Sequence, residues 1–446
     1  MKTTIRYILL FALLALAACT KDDAPRYPHA SRVVLVYMAG DNSLGGYVWD
    51  NLDAMRQGMA SAPAGSRTIA YVDTPDGNPR LLEVTSSGTQ TLYTWPSAHN
   101  SASAATVREA IGRVRTLAPA DRYGLVLWSH GLAWMPSWAT GYLTRSKARI
   151  GDIWPQTKHE EMLPVSFTSV AHPDSVPVSV TAAGPASADR PIPTASVPTS
   201  WPATKWFGQD TGESPAGYLD VEQLSEAIPS GVFDWILFDA CFMASAETLY
   251  ALRDKAERIV CSPAEVIADG FPYAEIMTEL LRPEPDLRAV CETYYRNYAD
   301  DPRPAYRSAT VSLVETSQLE ALAAATASVL GAALTADPEV LSNMDLNRLQ
   351  PLDRYRRHFL FDMGSVVREL ETRGLVPASL AGAWRAQLAR TVVYEAHTSA
   401  MLDLPLDECC GLSMYVPVAS YADLNEYYRT LGWYAGCYPA DYNIAQ

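Results

Sequence analysis

Two segments end an apolar run on a side chain able to do nucleophilic chemistry. YGLVLW (123–128) leads directly into Ser129-His130-Gly131, and FDWILF (233–238) leads into Asp239-Ala240-Cys241. A thiol beside an imidazole is the minimum equipment for covalent acyl transfer. Cys241 would attack a carbonyl carbon, and His130 would take the thiol proton and return it to the leaving amine. The charge that builds on the carbonyl oxygen needs donors; the backbone N–H groups of Gly131 and Cys241 are the candidates, since glycine permits close approach. A helical stretch beginning near Ala244 predicts a helix N-terminus behind Cys241 that would favour the thiolate. No third, orienting carboxylate shows in the sequence. A single cysteine behind an apolar strand is ordinarily a small buried hydrophobe; the matched ends of two strands favour the chemical reading. His29, His99, His159, His172, His358 and His397 lack that strand-end context.

For the two ends to meet, their strands must be neighbours, because open α/β sheets place sites outside the carboxyl ends of parallel strands. VVLVYM (33–38), TIAYVD (68–73), ERIVCS (257–262) and SATVSLV (308–314) are further strand candidates. Several are apolar throughout, as strands covered on both faces are. Residues 47–60, 104–117, 244–255 and 286–298 repeat apolar positions every three or four residues, which predicts helices. LLEVT (81–85) and TLYTW (91–95) predict a hairpin. The alternation predicts an α/β fold with a mostly parallel central sheet and helices on both faces. After residue 315 the runs ETSQLEALAAATASVLGAAL, MGSVVRELETR and ASLAGAWRAQLARTVVYEAHT predict a mainly helical C-terminal subdomain, 316–446, packed on the sheet. GLSMYVP (411–417) is expected to return to that sheet as a strand.

One stretch breaks the rhythm. Pro155 to Pro202 is crowded with Pro, Ser, Thr and Ala, and it marks an exposed insertion spanning about 136–216. Just upstream, LTRSKARIG sets Arg145, Lys147 and Arg149 in a polar segment open to proteases.

The chain has 446 residues and a formal charge of −15, so the broad basic footprint of a nucleic-acid binder is missing. Phosphate-loop, dinucleotide-fingerprint, HExxH and G-x-S-x-G patterns are all absent. That argues against an NTPase, a dehydrogenase, a zinc peptidase and an α/β-hydrolase. The N-terminal MKTTIRYILLFALLALAAC has early cations, a short apolar core and small residues before Cys19, which is a secretory signal. No later segment reaches 18 uninterrupted apolar residues. Its ending resembles a lipobox, which implies a signal peptide of 1–18, a lipidated Cys19 and a tether of 19–31. Lys21-Asp22-Asp23 resembles the surface-export signal of Bacteroidetes lipoproteins, so the expected location is the outer membrane, facing outward. The other six cysteines show no C-x-x-C spacing and no paired histidine, and no metal site is expected. A bridge from Cys409 or Cys410 to Cys437 is open in an oxidising compartment, with Cys241 left free.

VVLVYMAGDNSL, YGLVLWSHG and FDWILFDACFMAS, in that order and separated by a variable insertion, resemble the clostripain family of caspase-like cysteine endopeptidases. The resemblance implies a caspase-like three-layer sandwich over 32–315. It also implies a Cys-His dyad on Cys241 and His130, and cleavage of protein or peptide substrates after Arg or Lys. It further implies a zymogen activated by a cut between the dyad residues, for which Arg145, Lys147 and Arg149 match. Asp239 and Asp269 match positions that line the first specificity pocket of the family, although Asp239 reads equally as a buried structural acid and Asp269-Gly270 as a turn. The Asp41-Asn42 loop reads as structural or substrate-adjacent. Calcium comes with the resemblance alone, since the chain has no EF-hand pattern. The reading from another class is a surface lipoprotein that keeps the fold for binding and has lost catalysis.

Overall fold

The structure, a computed structural model, describes residues 27–131, 133–139, 209–210, 217–303, 306–355, 357–439 and 442. Cys19 with its flanking signal, the Arg145, Lys147 and Arg149 cluster, and most of the insertion lie outside these residues. The strands of the central sheet are β1 (Ala30–Ala39), β2 (Ser66–Asp73), β3 (Arg80–Thr85), β4 (Gly88–Thr94), β5 (Ala120–Trp128), β6 (Phe233–Asp239), β7 (Arg258–Cys261), β8 (Thr310–Glu315) and β9 (Val392–His397). They lie in the order β9-β8-β7-β6-β5-β1-β2-β3-β4. The five central strands, β2-β1-β5-β6-β7, are parallel neighbours. Only β3 and β8 run against the rest, each turning the chain back at one flank.

The central strands are apolar on both faces because both are covered. Along β1, Val33, Leu35 and Tyr37 enter one core while Val34, Val36 and Met38 enter the other, the alternation a pleated strand imposes. The first core takes α2 (Ala104–Leu117), α3 (Val221–Ala227), α4 (Ala246–Ala251) and the C-terminal helices α7 (Leu319–Ala336), α8 (Met363–Thr372) and α9 (Ala378–Thr391). The second takes α1 (Tyr47–Gly58), α5 (Tyr273–Leu280) and α6 (Leu287–Ala299). The result is the expected three-layer sandwich. Helix α7 is long and apolar enough to cross a bilayer by composition, but Leu322, Val329 and Leu330 are buried in the first core.

Two expectations for the C-terminal part are corrected. The run from Ala378 is helical only to Thr391; Val392–His397 then pairs antiparallel with β8 as the edge strand of the main sheet. The β-branched Thr391-Val392-Val393 followed by Tyr394 favours extended backbone once α9 has ended. GLSMYVP does not join that sheet: Ser413–Met414 pairs with Phe361–Asp362 as a separate two-stranded piece. Cys409, Cys410 and Cys437 are all unbridged, and Cys437 Sγ instead donates to Ala323 O at 3.6 Å.

Where β5 and β6 lie side by side, Gly124 makes room for the buried indole of Trp235. A Cβ on Gly124 would stand 2.1 Å from Trp235 Cζ2. Gly124→Ala is therefore expected to destabilise the fold by about 2 kcal/mol or more through overpacking, measured as a lower urea midpoint with an unchanged slope; wild-type stability would refute this account of the β5–β6 seam.

Candidate active site

The last paired residues of β5 and β6 are Trp128 and Asp239. Ser129 N–H still reaches Asp239 O at 3.4 Å, and two residues beyond the last pair each chain arrives at its candidate side chain, so the parallel register brings His130 level with Cys241. The approach is close: a Cβ on Gly131 would stand 2.2 Å from Cys241 O and 3.0 Å from Cys241 N. Glycine is required there because only a residue without a side chain lets the two backbones touch. Ser129 Oγ donates to Ala39 O at 2.8 Å, which ties the same corner to the end of β1.

The loop after β1 contributes Ser43, which lies within VVLVYMAGDNSL but whose residue type alone does not mark it out. His130 Nε2 lies 2.9 Å from Ser43 Oγ. Asn42 shapes this loop, donating from Nδ2 to Ala39 O at 2.9 Å and accepting from Leu44 N–H at 2.9 Å. Strand order is the signal that could have found Ser43: β1 neighbours β5, so its carboxyl-end loop must lie beside that of β5.

The surroundings of Cys241 differ from the expectation. Helix α4 begins only at Ala246, capped by Ser245, which accepts from Thr248 N–H at 3.2 Å. Cys241 therefore sits in a turn ahead of a six-residue helix, outside the first turn where a helix dipole acts. The thiol is instead held by backbone. Sγ accepts from Val266 N–H at 3.3 Å and donates to Val266 O at 3.6 Å. Phe242 follows at φ 64°, a left-handed conformation that a bulky residue rarely adopts. It is maintained because the Phe242 ring is fully buried and its N–H donates to Ala264 O at 2.8 Å. Ala244 N–H does the same to Ser262 O at 2.9 Å, so the segment after β7 clamps the turn after β6.

That second segment is itself anchored by charge. Glu265 pairs with Arg354 Nη1 at 3.2 Å, and Arg354 Nε binds Asp403. Asp239, 5 % exposed, turns its carboxylate toward the same loop, where Oδ2 accepts from Tyr273 OH at 2.8 Å and Phe271 N–H at 3.2 Å. Burial raises it to about 6, against the lowering effect of those two donors. Gly270, at φ +73°, leaves room for it: a Cβ there would be 2.5 Å from Asp239 Oδ2. Asp269, the preceding residue, is half-buried. Burial raises its carboxyl above the usual range, with Arg303 opposing and Asp301 and Asp50 adding to the rise.

One buried acid supports the site from below. Glu247, in α4, accepts at Oε1 from Tyr415 N–H at 2.9 Å and Tyr428 OH at 3.0 Å, which joins the helix behind Cys241 to the C-terminal segment. Among the described residues its Oε2 has no partner.

A cysteine and a histidine set level at the carboxyl ends of adjoining parallel strands, within a three-layer α/β sandwich, is the arrangement of a caspase-like cysteine endopeptidase. The sequence profile of the clostripain family matches residues 36–148 and 194–421, and the chain belongs to that family. Among solved structures, an inactive zymogen C11 protease from Parabacteroides distasonis is 28% identical with a TM-score of 0.67, the match covering 92% of this chain and 99% of that one. A secreted C11 cysteine protease from Bacteroides thetaiotaomicron, in complex with an irreversible peptide inhibitor, shares the fold at 23% identity, with a TM-score of 0.67 and the same coverage. No curated protein matches the chain.

Glu247 gives a pH test. Burial raises it from 4.5 to about 7, with its hydrogen bonds opposing. A raised carboxyl pKa means that the folded state binds the extra proton, so this contribution is complete below the unfolded value and is lost as pH climbs through the folded one. Glu247→Gln, which mimics the protonated acid, is expected to flatten the fall in stability between about pH 4.5 and 7 by up to about 3 kcal/mol. Urea unfolding of both proteins at stepped pH measures it; parallel curves would rule out a buried, proton-binding Glu247.

Proposed function

We propose that the enzyme cleaves peptide bonds after Arg or Lys with Cys241 as nucleophile and His130 as its acid–base partner. The observation that carries this is the β5–β6 register, which brings His130 level with Cys241 and packs Gly131 against the Cys241 backbone. His130 accepts the thiol proton as sulfur attacks the carbonyl carbon, and the backbone N–H groups of Gly131 and Cys241 face the oxyanion. Collapse breaks the C–N bond, with the proton passing from His130 to the leaving amine. Water, deprotonated by His130, then hydrolyses the thioester and restores the thiol.

Preference for a basic residue rests on acid at the adjoining loop. Asp269 is half-buried, its carboxyl raised by burial, lowered by Arg303 and raised by Asp301 and Asp50, and a substrate cation brought alongside would favour its charged form. Asp239 lies behind Gly270 and holds the loop in place while adding charge to the pocket. We further propose that the protein is made as a zymogen cut between the dyad residues at Arg145, Lys147 or Arg149, and that Cys19 anchors it by lipid to the outer membrane. The zymogen reading is supported by the Parabacteroides relative, itself an inactive zymogen.

Calcium comes with the family resemblance alone. No step is assigned to it.

The test is intact-mass analysis of the purified protein and its Cys241→Ala variant after incubation, with hydrolysis of matched Arg, Lys and Ala fluorogenic peptides. Wild type alone is expected to cut near Arg145–Arg149 and to hydrolyse only the basic peptides, the variant losing at least about a thousandfold in rate. Inertness of wild type after a confirmed trypsin cut in that segment would sink the activation scheme and favour the binding lipoprotein. Asp269→Asn is expected to weaken kcat/KM for the Arg and Lys peptides by about 10- to 100-fold while sparing reaction with a small thiol reagent; unchanged basic preference would remove Asp269 from the pocket.

A further inference from the structure

Away from the dyad, three donors of different chemistry meet where β9 faces the loop that follows it. Glu395 and His397 are two residues apart on the strand and so lie on one face of it. Their Oε1 and Nδ1 atoms are 2.7 Å apart. Cys409 completes the group: one ligand atom from each of Glu395, His397 and Cys409 lies within 4.8 Å of the others.

The loop carrying Cys409 is fixed in place. Gly411, at φ +87°, lies so near the strand that a Cβ there would stand 2.9 Å from Val392 Cγ1 and 3.0 Å from Glu395 Cγ. Its carbonyl accepts from Ser312 Oγ at 2.6 Å, and Cys410 N–H donates to Asp362 Oδ2 at 2.6 Å. The Glu395 and His397 side chains are 23% and 28% exposed, so an ion and its water can reach them. Cys409 is half-buried, and burial, with Asp362 and Glu395 nearby, raises its thiol above the usual range; a fixed trio of carboxylate, imidazole and thiol is still more than a surface ion pair needs.

We propose that Glu395, His397 and Cys409 bind a divalent transition metal of the zinc class, one ion per chain, with water as the fourth ligand. The donor set decides the class. A thiolate and an imidazole select zinc or cobalt, whereas calcium and magnesium take oxygen alone. Bonds of about 2.0–2.3 Å in a tetrahedron set ligand atoms about 3.3–3.8 Å apart, so the Glu395–His397 pair has to open by about 0.6 Å and Cys409 to close by about 1.3 Å at most. Binding releases the Cys409 thiol proton to solvent and exchanges the Glu395–His397 hydrogen bond for two bonds to the ion. Sequence spacing hides such a site, because its ligands come from an edge strand and a separate loop. The clip would fasten β9 to the segment running into Ser413, whose N–H donates to Ala244 O at 3.0 Å beside the Cys241 turn.

The experiment uses the purified chain carrying Cys241→Ala, which removes the dyad thiol as a competing ligand, titrated with Co2+ under reducing conditions. A near-ultraviolet thiolate-to-cobalt charge-transfer band is expected, saturating at one ion per chain and erased when Zn2+ is added. In the same background Cys409→Ser abolishes the band and the rise in Tm that Zn2+ confers, Cys410→Ser keeps both, and His397→Gln weakens Co2+ binding at least about tenfold. Circular dichroism checks that each variant is folded. Absence of saturable binding, a band that survives Cys409→Ser or follows Cys410, or unchanged affinity in His397→Gln overturns the proposal. If Cys409→Ser does not fold, the affinity of the His397 variant alone decides between metal site and ion pair. None of these readouts depends on peptidase activity.

Discussion

The parallel pairing of β5 with β6 is the constraint from which the rest of the site follows. Two strands from distant parts of the chain are locked in register by the ladder from Tyr123 to Trp128 and from Phe233 to Asp239. A slip of one residue would turn every side chain to the opposite face. Because both strands are buried on both faces, such a slip would exchange two cores at once, so the register is firmly specified. His130 and Cys241 inherit that precision: each stands two residues beyond the last ladder pair. Chemistry that needs two groups in a fixed relation is thereby placed on the stiffest part of the molecule.

Burial and backbone strain around Cys241 are balanced by packing of the neighbouring loops. Phe242 adopts positive φ, a conformation costing on the order of 1 kcal/mol or more for such a residue. The buried ring and the hydrogen bonds to Ala264 and Ser262 keep it there. Asp239 is kept out of water beneath Gly270, and its bond to Tyr273 OH sets the start of α5 and the loop before it. The acid two residues ahead of Cys241 thus acts on the same loop that offers Val266 to the thiol. A single loop, 262–271, supports the sulfur, restrains the turn behind it and presents Asp269.

The sheet, and the two strand ends that carry His130 and Cys241, were legible because they rest on local signals. Apolar runs of β-branched residues announce buried strands, and SHG and DAC follow two of them immediately. What escaped was set by tertiary context. Val392–His397 continues a run with helical spacing, and the free edge of β8, with the β-branched Val392-Val393, makes it a strand. GLSMYVP is as apolar as a core strand, yet Phe361–Asp362 and not the main sheet offers it a partner. The helix behind Cys241 starts later than its periodicity suggests, because Ser245 caps it and the four residues before it are used in the turn. Ser43 is not marked out by its residue type; its position beside His130 follows from strand order, which the sequence does not state. Glu395, His397 and Cys409 are likewise brought together only by an edge strand and a glycine-bound loop.

Strand order also bears on what a cut between the dyad residues would do. The chain ahead of the insertion supplies β1 to β5 and His130; the chain after it supplies β6 to β9 and Cys241. The two parts meet along the β5–β6 seam in the middle of a nine-stranded sheet. They also meet in the first core, where Ile111 and Val114 of α2 share a cluster with Leu224 of α3 and Leu249 of α4. Paired interior strands and a shared apolar core make up this seam, and burial of that surface favours its staying together after a cut in the insertion, with the carboxyl ends of β5 and β6 still side by side.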